Sequence, residues 1–101
     1  MKPIIYISGK VTGTDDYEKR FAVIESRLKL QGWHVVNPVK KCKHFPKDTK
    51  WETYMRYCIR LLTRCEAIYL LRGWRQSKGA VIEQRLAVDL GLTIISEGKG
   101  E

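Results

Sequence analysis

The sequence has three cysteines, and they are not paired by spacing. Its 101 residues contain only Cys42, Cys58 and Cys65, with no C-x-x-C motif. An odd number without a pair argues against a disulfide scaffold and favours a reducing compartment, so we expect a cytoplasmic protein. Cys42-Lys43-His44 offers two metal ligands, but no further Cys or His is spaced to complete a tetrahedral site. We therefore expect neither a metal nor another cofactor.

Long apolar runs are also missing. The first residues, Met1 and Lys2, lead into the five-residue apolar segment 3–7, which is too short for the core of a signal peptide. No window approaches the roughly 20 apolar residues that a membrane-spanning helix needs. We expect one small domain over residues 1–101, with a single core and no membrane association.

Acidic residues are scarce relative to basic ones. The 11 Asp and Glu face 19 Lys and Arg, and the net charge of +8 favours anionic partners such as nucleotides or nucleic acid. A solvated, mobile loop is the simplest interpretation of the densest basic run. A nucleic-acid-associated protein is disfavoured, because the fold predicted below offers no recognition helix and charge alone binds nucleic acid unspecifically. The run consists of Lys40, Lys41, Lys43, Lys47 and Lys50.

The two standard nucleotide-binding motifs are absent. The first loop, Gly9-Lys10-Val11-Thr12-Gly13, has neither the G-x-G-x-x-G spacing nor the Gly-Lys-Ser/Thr end of a P-loop. Two glycines after a first strand can serve the turn alone. A glycine at that point can also let a ligand approach, which makes Ser8 and Gly9 candidate ligand contacts. Both interpretations stay open.

The sequence does show a strict alternation of strand and helix patterns. Apolar segments predict four strands, at residues 3–7, 33–37, 66–71 and 92–95. Periodic patterns predict three helices, which begin near Asp15, Thr49 and Lys78. Asp15 with Glu18, and Thr49 with Glu52, have the spacing of capping boxes. The alternation implies right-handed crossovers, and so a three-layer flavodoxin-like (Rossmann-like) α/β fold with a four-stranded parallel sheet in the order 2-1-3-4. In that order, the crevice outside the carboxyl ends of strands one and three is the expected ligand site.

The segment 72–91, RGWRQSKGAVIEQRLAVDLG, has the layout of an anion site in that crevice. A buried strand ends before it, a loop containing Gly73 turns, and a helix begins with Ser77 placed as its cap. The first N–H groups of a helix have no internal partner and lie at the positive end of its dipole, so they attract a phosphate or carboxylate. Gly79 lets such a group come close. Glu83 lies one turn further on the same helix face, so its carboxylate is predicted to face the ligand.

Glu83 and Cys58 also have simpler interpretations. A helical glutamate is most often exposed and paired with a neighbour, here Arg85 or Lys78. The apolar residues around Glu83 favour the crevice instead. Cys58 falls in an apolar helical stripe, which favours an inert buried thiol over a nucleophile.

The aromatic residues Tyr6, Trp51, Tyr69 and Trp74 could stack on a base. Packing is the simpler explanation for each of them. Trp74 differs from the others, because a loop tryptophan beside the predicted anion site is placed to cover a ligand. We therefore count Trp74 among the candidate ligand contacts. Tyr6, in the first strand just before Ser8 and Gly9, is also counted among them.

Three segments carry a family likeness. They are IYISGKVTG at the start, W-x-x-YM in the second helix and GWRQSKGAVIE near the end. Together they resemble a family of small phage and bacterial proteins of undefined function, itself similar to nucleoside 2-deoxyribosyltransferases and deoxynucleoside monophosphate N-hydrolases. The resemblance implies a nucleoside or nucleotide ligand, transfer or hydrolysis of its N-glycosidic bond, and Glu83 as the nucleophile. It also implies that Ser77 helps to hold the ligand, and that the chain forms a homodimer or a higher oligomer.

Two positions depart from those relatives. Where this chain has Cys58, the relatives usually have an aspartate, which is thought to assist the leaving base. Where this chain has Glu66, they tend to have an aspartate as well. A thiol is a poor substitute for a carboxyl group in acid catalysis. On the catalytic hypothesis, Cys58 would have to take the place of that aspartate, so a second hypothesis stays open. On that hypothesis the chain is a catalytically silent nucleotide-binding or sensor module.

Overall fold

The strands form one parallel sheet. A computed structural model describes residues 2–11, 13 and 15–98; the predicted loop residues Thr12 and Thr14 lie outside the described part. The strands are β1 (Ile4–Ser8), β2 (His34–Val36), β3 (Ala67–Leu70) and β4 (Thr93–Ser96). All three pairings are parallel and the order is β2-β1-β3-β4. The predicted flavodoxin-like α/β fold and its strand order are therefore confirmed.

Helices connect the strands. The long ones are α1 (Tyr17–Leu30), α3 (Trp51–Leu62) and α4 (Lys78–Asp89), and a four-residue helix, α2 (Pro38–Lys41), follows β2. A 3₁₀ turn, Trp74–Gln76, precedes α4. None of the helices in the described part of the chain is long and apolar enough to cross a membrane.

The two predicted capping boxes are wrong. The N-cap of α1 is Asp16 and that of α3 is Lys50, and neither makes a side-chain capping bond. Thr49 lies two residues before the start of α3, and its hydroxyl donates to the carbonyl of Pro46 at 2.6 Å. A hydroxyl used in that turn is not available to cap the helix.

The α2 helix was also missed, since the basic run after Pro38 was predicted to be loop. Asn37 caps this helix by accepting a bond from the N–H of Val39 at 3.0 Å, and Pro38 is its first residue. An Asn cap followed by Pro at the first helical position is a recognised start signal. Lys40 pairs with the buried Glu25 at 3.1 Å, so part of the basic run is anchored.

The core lies in two layers, one on each face of the sheet. Ile5 and Ile7 of β1 pack on one face, together with Phe21 of α1. Tyr6, between them in sequence, points to the opposite face, where α3 and α4 pack. Because side chains alternate along a strand, Ser8 shares the Tyr6 face. This parity directs two polar side chains of β1 toward α4.

Candidate active site

A cavity of about 580 Å³ lies at the carboxyl end of β1. The end of β1, the first turns of α4, one side of α3 and the segment between α2 and α3 all contribute to its wall. All but two of the sequence-predicted site residues line it: Tyr6, Ser8, Gly9, Cys58, Ser77, Gly79 and Glu83. The location is the crevice that the strand order predicts for a ligand.

Glu83 is the buried carboxylate of this cavity. Its side chain is only 5% exposed, and its two oxygens each accept a hydrogen bond from β1. The Tyr6 hydroxyl donates to Oε2 at 2.6 Å and the Ser8 hydroxyl donates to Oε1 at 2.7 Å. The exposed pairing with Arg85 or Lys78 is therefore excluded, and the carboxylate is held in one orientation at the cavity wall.

Burial governs the protonation of this group. Loss of solvent raises the pKa of Glu83 to about 7, although the hydrogen bonds from Tyr6 and Ser8 act in the lowering direction. Burial, followed by the Glu83 charge, raises the pKa of Tyr6 well above its usual value, so Tyr6 remains a donor. A carboxylate with a pKa near 7 is available in both protonation states at neutral pH, as acid–base and nucleophilic sites often require.

Two glycines at the site are explained by close packing. A Cβ on Gly9 would lie 2.6 Å from Cδ1 of Leu71, at the end of the neighbouring strand. A Cβ on Gly79 would lie 3.0 Å from the sulfur of Met55 on α3. Gly79 therefore lets α3 and α4 approach each other, and Gly9 lets the chain after β1 pack closely against Leu71.

The start of α4 follows its sequence signal. Ser77 is the N-cap, and its hydroxyl accepts a bond from the N–H of Ala80 at 3.2 Å. The predicted cap is thus confirmed. It directs the first turn of α4 toward the cavity that Ser77 and Gly79 line.

Cys58 packs against the core layer, as its helical stripe indicates, and it is also part of the cavity wall. It is half-buried, lines the cavity and lies 3.9 Å from the sulfur of Cys42. Burial raises its pKa to about 12; a hydrogen bond with Tyr6 acts in the lowering direction, and the Glu83 charge adds to the rise. The Cys58 thiol is therefore protonated at neutral pH and interacts with the Tyr6 and Glu83 pair.

The structure places the two other predicted site residues outside the cavity lining. Trp74 is 7% exposed and packs in the core layer between the sheet and α3 and α4, so it does not cover the cavity. Its indole N–H has no hydrogen-bond partner among the described residues. Gly73 precedes it with φ of +87°, a left-handed conformation that favours glycine and turns the chain into the core.

Several residues that line the cavity are not among the site residues that the sequence predicts. Trp51 and Tyr54 at the start of α3 contribute aromatic surface, Lys43 and Lys47 contribute positive charge, and Glu18 contributes a second carboxylate. Glu18 is exposed and pairs with Lys43 at 3.6 Å, in contrast to the buried Glu83. The W-x-x-YM segment was the available signal, but a helical aromatic pair gives no indication of which cavity it faces.

Glu66, the second departure from the relatives, is far from this chemistry. It lies before the first residue of β3, where its carboxylate accepts a bond from the N–H of Ile4 at 2.7 Å. That is the amino end of the sheet, opposite to the cavity, so Glu66 joins the beginnings of β1 and β3. The described residues contain no group of three or more His, Cys, Asp or Glu that could hold a metal.

Comparison with known proteins agrees with this architecture. The chain is similar to the solved structure of a 2-deoxyribosyltransferase from the psychrotolerant bacterium Bacillus psychrosaccharolyticus, with a TM-score of 0.75 and 14% sequence identity. The match covers 92% of this chain and 70% of that chain, and at this identity it shows the fold alone. No curated protein sequence matches significantly. A family model described as a domain of unknown function, DUF4406, matches residues 3–96. The chain therefore belongs to the DUF4406 family.

Proposed function

We propose that this protein binds a nucleoside or nucleotide in the cavity and cleaves or transfers its N-glycosidic bond, with Glu83 as the nucleophile. The observation that carries the proposal is the Glu83 carboxylate, buried at the cavity wall and fixed by Tyr6 and Ser8. The fold shared with a 2-deoxyribosyltransferase supports it. Aromatic side chains in the lining, such as Trp51 and Tyr54, suit the flat face of a base.

The chemistry balances without a cofactor. A Glu83 oxygen attacks the anomeric carbon, the bond from that carbon to the base nitrogen breaks, and the electron pair leaves with the base, which takes up a proton. The sugar is then held on Glu83 as an ester. Water or a second base attacks the same carbon, the ester bond breaks, and the carboxylate is regenerated. Water gives hydrolysis and a second base gives transfer.

The test is release of free base by the purified protein. Deoxynucleosides and their 5′-monophosphates are incubated with it, with and without a second base, and the products are separated by chromatography. Release that scales with protein concentration supports the proposal, and formation of a new nucleoside distinguishes transfer from hydrolysis. No release from any substrate that demonstrably binds contradicts the catalytic part.

One observation favours a second candidate function, a nucleotide-binding module without turnover. Cys58 occupies the position at which the resembled enzymes usually have an aspartate, and its thiol stays protonated at neutral pH because burial raises its pKa to about 12. A thermal-shift screen against nucleosides and their monophosphates discriminates between the two. A ligand at 100 times its Kd stabilises by about 2.7 kcal/mol. Stabilisation without base release selects the silent module.

The pH dependence of base release should report the Glu83 carboxylate. Since the nucleophile is the ionised form, kcat/KM should fall below about pH 7, the pKa of Glu83. Tyr6→Phe removes a hydrogen bond that lowers this pKa, so the fall should move to higher pH. The matched control is Tyr69→Phe, because Tyr69 is half-buried on the opposite face of the sheet, outside the cavity lining. An unshifted profile in folded Tyr6→Phe would contradict the assignment.

We also propose that the protein is at least a dimer. Large apolar side chains are exposed, including Trp51 at the cavity wall and Ile94 on the edge strand β4. Burying such surface between copies stabilises a small domain. Light scattering at tens of micromolar measures the mass directly, and a strictly monomeric mass would count against the proposal.

A further inference from the structure

Two cysteine sulfurs face each other in the cavity wall. Sγ of Cys42 and Sγ of Cys58 lie 3.9 Å apart, although 16 positions separate the two residues in sequence. Both residues are half-buried and both line the cavity. The sulfur atoms are thus in contact across the wall between α2 and α3.

Local structure brings this pair together. Cys42 is the C-cap of α2, and its N–H donates to the carbonyl of Pro38 at 2.9 Å. Cys58 lies in the middle of α3, on the side that faces the cavity. The Asn37 cap starts α2, so the position of Cys42 is fixed by a short helix instead of a free loop. An encounter between these two sulfurs therefore needs only a small displacement.

The third cysteine is differently placed. Cys65 is 6% exposed, packs in the core and donates from its thiol to the carbonyl of Leu61 at 3.4 Å. It does not line the cavity. Cys65 can therefore serve as an internal control, a thiol outside the pair.

We propose that Cys42 and Cys58 form a redox modification site, in which a peroxide converts the two thiols into a disulfide across the cavity wall. One thiolate attacks a peroxide oxygen, the O–O bond breaks, and a sulfenic acid and water result. The second thiolate attacks the sulfenic sulfur, the S–O bond breaks, and the leaving hydroxide takes a proton to form a second water. Overall, two thiols lose two electrons and two protons, and one hydrogen peroxide becomes two waters.

The environment of the two thiols makes their oxidation slow at neutral pH. Burial raises the pKa of both thiols, that of Cys58 to about 12. Thiolate is therefore scarce at neutral pH, and oxidation is expected to accelerate as pH rises.

The experiment counts thiols in the intact protein. The protein is exposed to graded hydrogen peroxide, alkylated under denaturing conditions, and analysed by intact mass and peptide mapping. We expect the alkylated thiols to fall from three to one, with a mass before alkylation lower by two hydrogens and the 42-to-58 peptides joined within one chain. The remaining alkylated thiol should be Cys65.

Single-residue variants supply the controls. Cys65→Ala should still form the disulfide, whereas Cys42→Ser and Cys58→Ser should each keep both remaining thiols at the same peroxide dose. Oxidation of wild type by addition of oxygen without a cross-link, a link between two chains, or a link that includes Cys65 would each overturn the proposal. The wild-type peptide map decides the matter even where a variant fails to fold.

Discussion

Replacing Glu83 by glutamine should abolish release of base from deoxynucleosides, by at least about 10³-fold in kcat, while ligand affinity stays within about tenfold. The amide keeps the shape of the side chain, so its contacts with Tyr6 and Ser8 can be retained in altered form. It lacks the charge that must attack the anomeric carbon. Base release is measured by chromatography and affinity by calorimetry. Turnover equal to wild type would remove Glu83 from the mechanism.

The same variant should be more stable than the wild type at high pH. The pKa of Glu83 is about 7 in the folded protein against an ordinary value of 4.5. Below pH 4.5 the group is protonated in both states and adds no penalty. Between these pKa values the unfolded chain is ionised first, so stability falls as pH rises, reaching a cost of about 3 kcal/mol above pH 7. Glu83→Gln removes that cost, so its melting temperature should exceed that of the wild type at pH 8 but not at pH 4.

For the matched control, Glu25→Gln, the melting temperature at high pH should change in the opposite direction. Glu25 is also buried, and burial alone would raise its pKa, but hydrogen bonds from Lys29, Asn37 and Lys40 lower it to about 2. Glu25 therefore stabilises the fold above pH 4.5, and this contribution is lost as pH falls toward 2. Glu25→Gln should lower the melting temperature at pH 8, where Glu83→Gln raises it. Opposite changes in melting temperature for the two variants would show that the gain in Glu83→Gln comes from the surroundings of Glu83, and is not a general effect of removing a buried charge.

The sequence predicts the placement of Glu83 better than its contacts. Strand alternation fixes the strand order, and the Ser77 cap fixes where α4 begins, so Glu83 lies at the correct end of the sheet. The parity of β1 already places Tyr6 and Ser8 on one face. Their bonds to Glu83 additionally need the distance between sheet and helix, which close packing of Gly79 against Met55 determines. Such a distance is set by tertiary contacts and has no local sequence signal.

The misplacement of Trp74 and the missed pairing of Cys42 with Cys58 have a related cause. The sequence predicts that Trp74 covers a ligand beside the anion site, but the left-handed Gly73 turns the chain so that the indole enters the core. The basic run predicts a mobile loop around Cys42, but Asn37 and Pro38 start α2, and this helix fixes the position of Cys42. In both cases, a short-range backbone feature places a side chain where the sequence pattern does not predict it.

Replacing Cys58 by aspartate should raise base release by about 10² to 10⁴-fold, the usual share of general acid catalysis. Cys58 lines the cavity and interacts with Tyr6 and Glu83, so a carboxyl group there would reach the ligand space instead of being enclosed in the core. Burial and the nearby Glu83 charge act in the same direction on an acid at this position. Both favour its protonated form, which can donate a proton to the departing base.

The matched control is Cys58→Asn, because the asparagine side chain has nearly the same shape as aspartate but has no carboxyl proton to donate. A rise in base release with aspartate but not with asparagine, in a variant whose melting temperature is maintained, would show that one acid completes the site. If Cys58→Asp instead melts earlier without any gain in base release, the thiol has a packing role, because a carboxyl group held without a partner costs several kcal/mol. Together with ligand binding in the thermal-shift screen, that result would favour the silent nucleotide-binding module. The wild type should be assayed in the presence of a reducing agent. The proposed disulfide between Cys42 and Cys58 would change its cavity wall, whereas the Cys58→Asp and Cys58→Asn variants cannot form that disulfide.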